Sequence, residues 1–115
     1  MEFLALIHAS DEAEWDSLSD DEKQPVYARY TEFEKDDRVV DGGELQSSTT
    51  ATTVRVRDGE RLVTDGPYAE VKEGLGGFFI LEADSIDDAC KLAAEIPAAE
   101  RGAVEVRPVY VREES

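Results

Sequence analysis

The sequence predicts an α+β fold in one domain spanning its 115 residues. Three observations carry that expectation. Short apolar runs alternate along the chain with stretches of helical periodicity. Asp58-Gly59 sits between two alternating runs, the strongest local signal for a hairpin, because glycine supplies the positive φ of a type I′ turn. Two runs, residues 2–8 and 76–83, are apolar on both faces, the pattern of interior strands covered on each side.

The elements follow in order. In Glu2–His8 the faces are Phe3/Ala5/Ile7 and Leu4/Leu6/His8, apolar except at the last position. Asp11 with Glu14 three residues on predicts a single capped helical turn carrying Trp15. Ser19 and Glu22 repeat that capping box ahead of a longer helix. Pro25 interrupts it, so either Ser19 caps a separate short turn or the main helix starts at Pro25. Val26, Tyr27, Tyr30 and Phe33 form its apolar stripe, and it is expected to fray at residues 36–38. Residues 39–45 read as a strand in which Gly42-Gly43 marks a bulge or a close backbone approach. A polar loop, residues 46–50, leads to the hairpin strands, residues 52–57 and 60–64. After strand 76–83, Ser85 caps a second helix with Ile86, Ala89, Cys90 and Ala93 on its buried stripe, and Pro97 stops it. Residues 103–107 alternate Val104/Val106 against Glu105/Arg107 and form the last strand.

Strand, helix, strand, inserted hairpin, strand, helix, strand is the split βαβ, ferredoxin-like order. Two helices cover one face of a four-stranded sheet, yet the interior strands are apolar on both faces. A bare second face would expose a large apolar patch. A second copy of the chain is the simplest cover, so a homodimer with its sheets packed face to face is expected.

The formal net charge of −16 excludes the usual modes of nucleic-acid and anionic-membrane binding. The same acidity fits either a high-salt cytoplasm or an ordinary acidic protein. Cys90, the one cysteine, has no internal disulfide partner, and the apolar start of the chain lacks a basic flank and the length of a signal or spanning segment. Both point to the cytoplasm. One histidine and one cysteine provide no zinc constellation, so no metal is expected. Gly74, Gly76 and Gly77 precede a strand, the reverse of a dinucleotide fingerprint. No cofactor is expected. Cys90, on a buried stripe, is expected to be inert.

Asp65-Gly66-Pro67-Tyr68-Ala69-Glu70-Val71-Lys72-Glu73, with residues 52–59 before it, Leu75-Gly76-Gly77 after it and the closing residues 102–108, resembles the YCII-related proteins of the DGPF type. The resemblance covers nearly the whole chain. It implies a dimeric α/β barrel of ferredoxin-like subunits. Some relatives are lyase-like enzymes on small hydroxylated rings, including dehydrochlorinases. Others are encoded beside extracytoplasmic-function sigma factors, which implies a possible regulatory partner. The chain departs from the pattern at Tyr68, where phenylalanine is usual. It also lacks the first-helix histidine of shorter members, so their His–Asp pair does not transfer.

The site candidates are read against their structural uses. His8 is the sole histidine and so the candidate for imidazole acid–base chemistry, or a hydrogen-bonded strand end. Asp65 is the carboxylate that would orient it or act as base, or the start of an Asx turn. Gly66 and Pro67 shape that turn. Tyr68 is a core aromatic or a proton donor to an oxyanion. Lys72 pairs with Glu70 or attracts an anionic substrate; Arg107 pairs with Glu105 or does the same. The resulting expectation is cofactor-independent proton transfer or elimination on a small polar, anionic or hydroxylated aromatic compound, with a non-catalytic metabolite- or partner-binding dimer as the alternative.

Overall fold

Strand β1, Glu2–His8, lies at the centre of a four-stranded antiparallel sheet with β2, Val39–Glu44, β5, Leu75–Glu82, and β6, Ala103–Pro108, in the order β2-β5-β1-β6. A computed structural model of the chain describes residues 1–69 and 74–112. Without the hairpin strands β3, Thr52–Arg57, and β4, Glu60–Asp65, the sheet strands run 2-3-1-4, the ferredoxin-like order. The fold is α+β and ferredoxin-like, as the element order predicts.

Phe3, Ala5 and Ile7 of β1 and Phe79 and Leu81 of β5 point to one side of the sheet and are buried. Phe33 of helix α2, Asp20–Phe33, and Ala89, Leu92 and Ala93 of α3, Ile86–Ala93, close over them with Ile96. The stripe of α3 is therefore phased differently from the one expected. Leu92 is buried, whereas Ile86 is 43% exposed and Cys90 is exposed. Ala89, Leu92, Ala93 and Ile96 follow the i, i+3, i+4, i+7 rule as faithfully as the expected set, and the larger side chains win the core.

Asp11 caps α1, Glu12–Asp16, by accepting from the Glu14 amide, and Ser19 and Glu22 form the expected reciprocal capping box on α2. α2 nevertheless runs unbroken through Pro25, so it neither divides nor starts there. Pro25 removes one ladder bond, and the carbonyl that bond would have used belongs to Asp21, on the exposed first turn, where it is open to solvent. The capping box holds that turn from the other side. β2 has its register shift between Val39 and Asp41, and Gly42 meets the expected close approach instead. A Cβ there would run into the Phe79 ring and lie 2.7 Å from the Phe78 carbonyl oxygen. In the hairpin, Asp58 at φ 51° and Gly59 at φ 77° make the expected turn.

Candidate functional site

The sheet face away from the helices carries two of the candidates, His8 and Arg107. Pairing sets Leu6 opposite Glu105 and Phe78, and Leu4 opposite Arg107 and Ile80, so these side chains share that face with His8. His8, half-buried at the strand end, has Nε2 3.1 Å from Oε1 of Glu105, its diagonal neighbour. Arg107 Nε donates to the other carboxylate oxygen at 2.6 Å. The Arg107 guanidinium and then His8 hold the Glu105 carboxyl below its ordinary range. Arg107 thus takes the Glu105 partner foreseen for it.

Asp65 lies elsewhere. It ends β4 opposite Thr52 in the separate hairpin sheet, and among the described residues no hydrogen bond or ion pair joins it to His8. Nor does its carboxylate form an Asx turn among those residues. The Gly66 amide donates to the Ala51 carbonyl at 2.8 Å and Thr53 Oγ1 donates to the Gly66 carbonyl at 2.8 Å, so backbone and threonine close the turn. Gly66, at φ 100°, takes the left-handed backbone of a turn, and Pro67 follows it in sequence. Tyr68 is not a core aromatic: it is 82% exposed, with the Arg55 guanidinium 5.4 Å from its ring centroid. Lys72 and its neighbour Glu70 lie outside the described residues.

The helix side of the sheet holds a larger feature that the sequence reading missed. α1 and α2 stand off the strands and leave an open cavity of about 880 Å³. Ile7, Phe79 and Gly76-Gly77 form its floor, and Trp15, Tyr27 and Tyr30 its aromatic walls. Trp15 meets Tyr27 edge-on at 5.8 Å, and Tyr30 stacks on Phe79 at 6.2 Å. Tyr27 Oη donates to Glu44 Oε1 at 2.9 Å. Burial, then that carboxylate, pushes the Tyr27 hydroxyl up; burial likewise raises Tyr30.

Glu12 is the second polar anchor. One oxygen accepts from the Ser48 amide and, at 2.8 Å, from Ser47 Oγ. The Ser48 amide holds the carboxyl below its ordinary range against the opposing effect of burial. The other oxygen, Oε2, is shut off from solvent, has no hydrogen-bond partner among the described residues, and presses on Gly74 where a side chain would collide with it.

Carboxylates outnumber cations around this cavity, and the cations face partners of their own. Arg29 is held by both oxygens of Glu100, Arg101 lies 3.9 Å from Glu14, and Lys23 stands 5.2 Å from the Trp15 ring centroid. The one available signal for these walls was chemical: a helix stripe built from tyrosines points to a half-polar surrounding, because a buried hydroxyl seeks a partner.

The model of the YCII-related domain matches residues 1–113. The chain belongs to the YCII-related family. A protein of Rhizobium meliloti (strain 1021) described as uncharacterized is 42% identical over 67 residues, a match that covers 56% of this chain and 54% of that protein. The matched stretch therefore spans about half the length of that relative. Among the described residues no helix is long and apolar enough to cross a membrane.

Proposed function

We propose that this YCII-related protein binds a small hydroxylated or amino-substituted aromatic compound in the helix-side cavity and performs cofactor-independent acid–base chemistry on it. The observation that carries the reading is the Tyr27–Glu44 pair on the aromatic wall of a cavity whose lining holds more carboxylates than cations. Stacking on Trp15 and Tyr27 suits a flat ring, and the Tyr27 hydroxyl oxygen accepts from a ligand hydroxyl or ammonium. A proton taken from the ligand by Tyr27 Oη, as its own proton passes to Glu44, is a balanced relay. The charge around the cavity favours a neutral or cationic ligand over the anionic one expected from Lys72 and Arg107. Membership of the DGPF type is supported by Asp65-Gly66-Pro67-Tyr68, and a cytoplasmic location by the free thiol of Cys90.

Thermal melting against a panel of phenols, anilines and benzoic acids tests it, on the wild type and on Trp15→Ala and Tyr27→Phe. A ligand at a hundred times its dissociation constant stabilises by about 2.7 kcal/mol. A phenol or aniline shift that both substitutions abolish is expected. Shifts confined to the benzoic acids, or unchanged in Trp15→Ala, would return the site to the His8 face.

A second reading concerns assembly. The half-buried Leu4, Leu6, Phe78 and Ile80 on the helix-free face support a homodimer, with His8, Glu105 and Arg107 at the rim of its interface. A non-catalytic dimer that binds a regulatory partner, such as a sigma factor, would use the same face. Light scattering distinguishes a dimer from the 12.7 kDa monomer.

A further inference from the structure

We propose that the β3–β4 hairpin is a docking arm whose valine face seats on a second copy of the chain; the inference deepens the homodimer reading and rests on it. Register puts Val54 opposite Val63 and Val56 opposite Arg61, so the three valines share one face of the ribbon. They are 59%, 62% and 57% exposed. The ribbon's strands pack on each other and scarcely touch the remaining elements. A two-stranded ribbon is at best marginally stable alone in water, so a regular six-residue pairing with a bare apolar face calls for a covering surface.

Charge selects the occupant. Within the hairpin, Arg55, Arg57 and Arg61 balance Asp58, Glu60 and Asp65, so the entire −16 of the chain lies outside it. Two such acidic bodies repel each other wherever their ordinary surfaces meet. The hairpin is the patch where that repulsion vanishes, and its guanidiniums complement the carboxylates of an acidic second copy. A basic partner would be drawn to the acidic body and away from this neutral arm.

Sedimentation and light scattering of the wild type, Val54→Glu/Val63→Glu and Leu6→Glu over a range of concentrations test the arm, with the near-ultraviolet signal of Trp15 reporting that the body is folded. The wild type is expected at about twice 12.7 kDa. The double substitution is expected to weaken association by about 100-fold, since it forces two charges into an apolar contact. Should it unfold the body, Val54→Thr/Val63→Thr, which keeps strand propensity, carries the test and is expected to weaken association measurably. A folded double variant that associates as tightly as wild type overturns the arm alone, most clearly if Leu6→Glu dissociates. A monomeric wild type at micromolar concentration overturns both the arm and the homodimer.

Discussion

β1–β5 and β3–β4 are both regular antiparallel pairs built on alternating apolar residues, yet they end in opposite environments. In the first, Phe3, Ala5, Phe79 and Leu81 are buried beneath α2 and α3. In the second, Val54, Val56 and Val63 stand in solvent. The local pattern sets strand and register in both cases. What differs is supply: the chain provides two long helices, and both lie on the sheet that contains β1. Alternation therefore specifies which face is apolar and says nothing of what will cover it.

The widest test of that contrast is truncation. Leu81→Ala, at a fully buried site, is expected to cost about 2–5 kcal/mol in urea unfolding, whereas Val54→Ala, measured where the chain is monomeric, should stay within about 0.5 kcal/mol. Equal costs would mean that the hairpin is packed within its own chain. The glycines sharpen the contrast. Gly42→Ala drives a methyl into the Phe79 ring and the Phe78 carbonyl, an overpacking expected to cost about 1–3 kcal/mol. Gly59→Ala meets no atom within 4 Å, so its cost, about 1 kcal/mol, comes from the left-handed backbone alone. A larger penalty at Gly59 than at Gly42 would reverse the two regions.

Smaller effects probe the cover and the bare face. Ser19→Ala removes the acceptor for the Glu22 amide and is expected to destabilise by about 1 kcal/mol in thermal unfolding, because α2 is what buries β5. On the helix-free face, Arg107→Ala should raise the Glu105 titration midpoint in carboxyl carbon NMR, since the guanidinium is the chief cause of its depression. An unmoved midpoint would show that the pair does not persist in solution. Asp36, half-buried and tied to Arg38, has its carboxyl lowered to about 2 from 3.8. A depressed carboxyl contributes stability above its unfolded value that is lost as pH falls toward the folded one. Arg38→Ala should therefore flatten the acid limb between those two pH values, slightly, because the pair is solvent-screened.

What the sequence made legible was local. Capping boxes at Ser19, the Asp58-Gly59 turn and the two-sided strands are written in neighbouring residues, and each reappears in the structure. Pro25 misled because a single-residue rule ignores how easily an exposed first turn tolerates one missing bond. The α3 phase misled because Ile86, Ala89, Cys90, Leu92 and Ala93 are all apolar, and only contact with β1 and β6 decides among them. The cavity was illegible for a deeper reason. Glu12 meets Ser47 and Tyr27 meets Glu44, partners 35 and 17 residues apart, and no spacing rule joins them. His8 found a carboxylate as anticipated, but Glu105, across a strand, stood where Asp65 was sought.

The exposed thiol of Cys90 gives these questions a natural ruler. It is the sole cysteine of the chain, it sits on α3, and it lines neither the cavity nor the hairpin. A nitroxide attached there would report one distance for each pair of associated molecules. Because α3 lies behind the core, on the helix-covered side, pairing through the opposite face would place the two labels on the far sides of the assembly, whereas pairing through helices would bring them close.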